Sequence, residues 1–262
     1  MIIARLYILM AFALSFVGCS TSVKYARHAA WKDEFHGNGS PNSKMWARSV
    51  TEPGDQLSAY CDEESNVYVK DGMLHLRVIK TNDPDMPYSA GRVIIGKNFH
   101  FKRGKLVVRA KAPITAGLWP AIWLNGPKTS EGYFAELDLM EHVYAMGDSC
   151  YEAVYHLWGD FREKENNHVS YGQHVAVNVG DWHIYQLEVL DDMIKMSVDG
   201  KEVYVIRKGA YGEEWPEGQE YSLRLALAYG GYGAQKTGID DSALPAEMLI
   251  DYVRFYELKD KN

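Results

Sequence analysis

Three carboxylates fall within six residues, Glu136, Asp138 and Glu141, in the segment Phe134-Ala-Glu-Leu-Asp-Leu-Met-Glu-His-Val143. In an extended strand side chains alternate between faces, which sets Glu136 and Asp138 on one side and Leu137 and Leu139 on the other. Glu141 breaks this parity, because a regular strand would drive its carboxylate into the apolar layer. One extra residue at Leu139 or Met140, a β-bulge, returns Glu141 to the face of the other two acids. Three like charges in a row cost stability unless at least one keeps its proton, and coupled carboxylates titrate in separate steps. One ionised group beside one protonated group is what retaining hydrolysis of a glycosidic bond requires, with the two carboxyls roughly 5–5.5 Å apart. A solvated edge strand and a calcium-binding acidic row account for the same spacing, so the pattern by itself leaves all three readings open.

Aromatic residues gather nearby. In Gly117-Leu-Trp-Pro-Ala-Ile-Trp-Leu124, Trp119 and Trp123 stand at i and i+4 on one side of a strand, a platform that could border the acids. The chain holds 7 Trp and 18 Tyr among 262 residues, and flat rings serve equally to stack on sugars or to fill a β core. A formal charge of −7 lacks the basic footprint that phosphate neutralisation needs, which excludes nucleic acid as a partner and argues against an anionic membrane surface.

Strands must hold these groups in place. Val67–Lys70 and Met73–Ile79 flank Asp71-Gly72, and the same hairpin pattern recurs over Met196–Val205 around Asp199-Gly200. Further β-rich runs cover Lys105–Ala112, Trp119–Leu124, Ala135–Val143, Ala153–Trp158, Ile184–Val189, Ser222–Ala228 and Met248–Tyr256. Only Pro245-Ala-Glu-Met248 reads as a short turn of helix. Many short strands at this spacing predict an all-β sandwich or barrel.

Leu6–Val17 runs twelve residues without a charge, after Arg5 and just before Gly18-Cys19-Ser20. It is too short to span a bilayer and fits the apolar region of a signal peptide, and its Phe-Val-Gly-Cys ending resembles a bacterial lipobox. The expected organisation is a lipoprotein-type signal peptide over 1–18, lipidation at Cys19, a short N-terminal tether over 19–29 and a single β-sandwich domain over 30–262. The mature protein is then expected at the cell envelope, outside the cytoplasm, touching the membrane through its lipid alone. Cys61 and Cys150 remain, and sequence leaves open whether they pair.

Taken in order along the chain, these segments resemble glycoside hydrolase family 16, the laminarinase-like β-1,3(4)-glucanases in particular. The resemblance rests on Asp33-Glu-Phe35, Asn66-Val-Tyr-Val-Lys-Asp-Gly72, Phe101-Lys-Arg-Gly104, Trp119-Pro-Ala-Ile-Trp123, Glu136-Leu-Asp-Leu-Met-Glu141, Asp181-Trp-His-Ile-Tyr185, Val198-Asp-Gly200, Gly238-Ile-Asp-Asp-Ser242 and Asp251-Tyr-Val-Arg-Phe-Tyr256. It implies a β-jelly-roll sandwich of two curved antiparallel sheets with an open concave substrate cleft. It also implies that Glu136 is the nucleophile, Glu141 the acid/base, and Asp138 the residue between them that hydrogen-bonds the nucleophile. His156 matches a histidine facing the acids from the neighbouring strand. Trp119, Trp123 and Trp158 become candidate sugar platforms, and Asn66 and Arg92 candidate contacts on the glycone side.

The same resemblance implies no cofactor for catalysis and a structural calcium on the convex face, held by Asp251 and the backbone carbonyls of Glu34 and Gly72. The expected partner is a polysaccharide or oligosaccharide, and the expected state a monomer. The activity implied is retaining endo-β-glycosidase action on β-1,3- or mixed-linked β-1,3/1,4-glucan. Endo-β-galactosidase action on β-galactan or host-type glycans is the alternative, followed by a non-catalytic carbohydrate-binding lectin. Strongly sulfated polysaccharides rank lower because the net charge offers no evident basic cleft. Three departures from the family pattern bear on substrate identity: Ala226 where Asn is frequent, Tyr232 where Trp is usual, and an unusually polar segment over Asp160–His168.

Overall fold

Two Asp-Gly pairs close two hairpins. Asp71 and Gly72 have φ of 52° and 74°, Asp199 and Gly200 of 50° and 77°. Positive φ at both central residues is the type I′ geometry, whose twist matches that of paired strands. The computed structural model describes residues 23–128, 132–147, 149–159, 168–210, 215 and 218–259. The expected signal peptide and Cys19 lie outside the described residues.

Sixteen strands follow among the described residues. The first six are β1 (Trp31–Asp33), β2 (Trp46–Arg48), β3 (Ala59–Tyr60), β4 (Val67–Lys70), β5 (Met73–Lys80) and β6 (Tyr88–Ile95). Next come β7 (Gly104–Lys111), β8 (Leu118–Asn125), β9 (Phe134–Glu141), β10 (Tyr151–Trp158) and β11 (His168–Val175). The last five are β12 (His183–Val189), β13 (Met193–Val198), β14 (Lys201–Arg207), β15 (Ser222–Tyr229) and β16 (Ala246–Tyr256). One half of the fold runs β11-β10-β9-β8-β15-β6 and the other β5-β16-β7-β12-β13-β14, joined where the end of β5 meets the start of β6. The result is an all-β jelly roll.

Alternation along the strands builds the core between the halves. Leu118, Ile122 and Leu124 of β8, Leu137 of β9, Tyr155 of β10 and Leu223, Leu225 and Leu227 of β15 are buried on one face. Leu106 and Val108 of β7, Leu187 of β12 and Met248 and Ile250 of β16 close over them from the opposite half. Side chains on the other face of β8, β9, β10 and β15 are thereby turned outward together.

Some expectations change. Residues assigned to the tether are in part tied down: Tyr25 bridges Leu258, and the Tyr25 hydroxyl donates to Glu188 (2.7 Å). The helical turn expected at Pro245–Met248 is instead the start of β16, and the nearby 3-10 turn lies at Asp241–Ala243. There the Asp240 carboxylate accepts from the Ser242 backbone N–H (3.0 Å), a local cap that stops the chain before the strand. Cys61 and Cys150 are both free thiols.

Candidate active site

The strand carrying the acids bears the bulge that its parity demands. Across from β8, Trp123 pairs with Asp138 while the next residue back, Ile122, pairs with Met140, so Leu139 has no partner of its own. Across from β10, Asp138 pairs with Val154 and Glu141 with Glu152, leaving two β9 residues against Ala153. Leu139 and Met140 are both fully buried, and the extra residue turns Glu141 back to the face of Glu136 and Asp138. Glu136, Asp138 and Glu141 all line one open cleft of about 220 Å³, with Trp119, Ala121 and Trp123 from β8, Ala226 from β15, Arg92 from β6, and Gln56 and Tyr60.

Two of the acids have distinct partners. The Trp119 indole N–H donates to Glu141 Oε1 (2.7 Å). Asp138, only 4% exposed, has its Oδ2 2.8 Å from His156 Nε2. Carboxylate oxygens of Glu136 and Asp138 and a ring nitrogen of His156 lie within 4.8 Å of one another. Burial, more than any single charge, pushes all three carboxyls up to about 8, and the Asp138 charge adds to the effect on both glutamates. The Trp119 hydrogen bond works the other way on Glu141. All three cannot be ionised together in such a site. The arrangement therefore holds one carboxylate able to attack and one carboxylic acid able to give a proton near neutral pH.

The remaining expected residues divide. His156 lies directly across from Glu136 on β10, facing the acids. Arg92 lines the cleft, its guanidinium 4.1 Å from the centre of the Tyr60 ring and its Nη2 donating to Ser49 Oγ (2.6 Å). Trp119 and Trp123 border the acids as a platform, though each ring has company. Tyr232 meets Trp119 edge-on at 5.6 Å, and the Arg224 guanidinium stands 4.8 Å over Trp123.

Two residues are corrected. Trp158 is not among the residues around the acids' pocket, and one face of its ring is stacked on His168 at 3.6 Å and 6°, so imidazole takes that face from a sugar. Asn66 is 1% exposed, with its side-chain amide donating to the Arg77 carbonyl (3.1 Å) and to Ser89 Oγ (3.0 Å). A buried amide so engaged staples β4 to β5 and β6, and no donor is left at the surface for a sugar.

The side chains at the expected calcium site are engaged in ion pairs. Asp251, the only side-chain ligand of the expected set, has its carboxylate on Arg109 Nη1 (2.5 Å), and both oxygens of Glu34 accept from Arg254 (2.8 and 2.7 Å). The Arg109 guanidinium thus already offsets the charge of Asp251, the one side chain that would meet a calcium ion there.

His168 and Arg224 were missed by sequence reasoning. His168 ends the polar segment and is the first residue of β11, and its Nε2 lies 2.8 Å from His156 Nδ1. A second His, twelve residues after the first and on an adjacent hairpin strand, was the available signal. Arg224 interrupts the run Leu223-Arg-Leu-Ala-Leu227, where alternation places it on the cleft face.

Residues 55–254 match the model of the glycosyl hydrolases family 16. A β-glucanase of Rhodothermus marinus is 29% identical over 86% of this chain and 84% of its own length. A keratan-sulfate endo-1,4-β-galactosidase of Sphingobacterium multivorum is also 29% identical, over 87% of this chain and 54% of its own. A solved structure of an endo-acting O-glycanase of the human gut microbiota, which initiates mucin breakdown, superposes with a TM-score of 0.77 at 31% identity, covering 90% of this chain and 91% of that one. With a bulged acid strand in the cleft and the family model spanning most of its length, this chain belongs to glycoside hydrolase family 16, as an endo-acting glycosidase.

Proposed function

We infer that the reaction proceeds with retention of configuration, through a glycosyl-enzyme on Glu136. The observation that carries this reading is the bulge at Leu139–Met140, which sets Glu141 on the same face as Glu136. In the first step Glu136 attacks the anomeric carbon while Glu141 protonates the departing oxygen. Because Oε1 of Glu141 accepts from Trp119, the proton sits on Oε2. In the second step Glu141 takes a proton from water, which displaces Glu136. Asp138, hydrogen-bonded to His156, holds or releases a proton as the charge on Glu136 changes. The chemistry needs two carboxyls and water, and no cofactor.

The substrate read first is β-1,3- or mixed-linked β-1,3/1,4-glucan, supported by the β-glucanase relative and by the indole platform at Trp119 and Trp123. The second reading, a β-galactosyl linkage in host-type glycans, draws on the O-glycanase and the galactosidase relatives. It also draws on Ala226, which puts a methyl on the cleft floor where a glucanase of this type often has an amide. The protein acts as a monomer, anchored through lipid on Cys19 outside the cytoplasm; Cys19→Ser should release it from the membrane fraction with unchanged specific activity. Product analysis on laminarin, lichenan and a β-galactosyl mucin glycan separates the two substrates. Proton NMR of the first product formed tests the mechanism: the β anomer appears first under retention, the α anomer under inversion.

A further inference from the structure

On the β15–β6 side of the acids the cleft floor carries two cations, of which Arg224 also helps to hold down the pKa of Glu136. Arg92 of β6 pairs directly with Ala226 of β15, two residues from Arg224, so both guanidinium groups belong to the cleft face of adjacent strands. Burial lowers the Arg224 pKa and the neighbouring Arg92 charge lowers it further, the signature of two cations held together away from water. Such a pair is normally relieved by carboxylates. Among the described residues neither has a carboxylate oxygen within 4.0 Å.

Arg92 rests on Ser49 Oγ and the Tyr60 ring, and Arg224 on the Ser222 carbonyl (3.2 Å) and the Trp123 ring. The Nε of Arg92 is buried with no hydrogen-bond acceptor. Between the two arginines Ala226 presents a methyl group, leaving the floor open beside them.

We propose that this part of the cleft binds a sugar bearing an anionic substituent, a sulfate ester or a carboxylate, with Arg224 and Arg92 as its counter-ions. A planar guanidinium pair suits either oxyanion, because each presents two oxygens in a plane. The charge of −7 averages over the whole surface and hides this local excess, so it is a poor ground for ranking charged glycans low. The proposal rests on the cleft being the glycan-binding site, and a neutral glucan would leave these cations unmatched.

The test is a binding measurement on the full chain carrying Glu136→Gln, so that affinity is read without turnover. Calorimetric titration with keratan sulfate oligosaccharides and their desulfated forms reads the sulfate, and laminari-oligosaccharides with and without carboxymethyl groups read the carboxylate. The charged member of at least one pair binds about tenfold more tightly than its neutral partner, as expected for one charge-assisted contact. Adding Arg224→Met brings that ratio close to one, Arg224→Lys keeps most of it, and raising the salt shrinks it. Equal affinity within both pairs, or a ratio unmoved by Arg224→Met, overturns the proposal. Turnover by the unaltered chain is scored separately: a charged preference in binding without cleavage of any of the four glycans supports the anion site and counts against both substrate readings.

Discussion

Asp138 Oδ2 lies 2.8 Å from His156 Nε2, and the other nitrogen of that ring, Nδ1, lies 2.8 Å from His168 Nε2. Each bond takes one proton, so the three groups titrate as a row. When Asp138 is ionised, His156 donates from Nε2 and accepts at Nδ1; when Asp138 is protonated, both bonds reverse. Burial holds both imidazoles below the ordinary histidine range, and for His168 the nearby His156 adds to it, so the rings are neutral at neutral pH. Asp138 can therefore take up or release a proton beside Glu136 while the histidines only exchange tautomers.

Asp138→Asn keeps the shape of the side chain and removes this proton exchange. A kcat loss of roughly 10²-fold with little change in KM is expected, as for an interaction felt mainly in the transition state. The pH–rate profile should also narrow or move. His168→Phe, which keeps a ring against Trp158 and breaks only the outer bond, should move the profile in the same sense with a smaller loss. A profile for Asp138→Asn superimposable on that of the parent would sink the shared-face arrangement.

With Glu141 as the proposed acid of the first step, activity should fall on the alkaline side as it loses its proton, with a limb near its pKa of about 8. The Trp119 N–H stabilises the charged form of Glu141 and holds that value down. Trp119→Phe removes the donor and keeps an aromatic ring. The alkaline limb should shift to higher pH while kcat drops severalfold, measured as kcat/KM from pH 5 to 10. A limb that stays put would mean that the indole serves only as a sugar platform.

Much of this site was legible in advance because its acids contradict a simple rule. Glu141 has the wrong parity for a regular strand, and only a bulge reconciles its charge with the core, which is where the bulge lies. The two hairpins were equally legible, since Asp-Gly is among the few pairs that tolerate positive φ at both positions. Other parts depend on contacts that no local pattern carries. β6 reads poorly as a strand because Gly91 interrupts it, yet a Cβ there would stand 2.3 Å from the Asn66 carbonyl, so close backbone approach requires glycine. The same packing of β5 and β6 buries Asn66, which the family resemblance had offered as a sugar contact. Trp158 was misread for a related reason: its parity places it on the correct face, but β11 brings His168 over the ring.

The raised pKa values also make a statement about stability. A carboxyl whose pKa is about 8 in the folded chain and ordinary in the unfolded one binds more protons when folded, so stability declines as pH rises between roughly 4.5 and 8. Glu141→Gln cannot ionise and escapes that loss. Its melting temperature should match that of the parent near pH 4 and exceed it by roughly 10 °C at pH 8.5, by calorimetry at fixed salt. An equal offset at both pH values would show that the gain comes from packing and not from charge.

The assignment of roles within the pair is testable by chemical rescue. Glu136→Gln and Glu141→Gln should each lower turnover by roughly 10³-fold or more with the fold retained, because each removes one participant of a two-step displacement. The two sites then differ in what restores activity. Glu141→Ala still has its nucleophile, so a substrate with an activated leaving group forms the glycosyl-enzyme without an acid. Small azide ions can enter the space left by the carboxylate and attack that intermediate, giving a glycosyl azide of the same anomeric configuration as the substrate. In Glu136→Ala azide can only replace the nucleophile itself, and the product carries the opposite configuration. Mass spectrometry and NMR of the azide products distinguish these outcomes, and inversion from Glu141→Ala would exchange the roles given to the two glutamates.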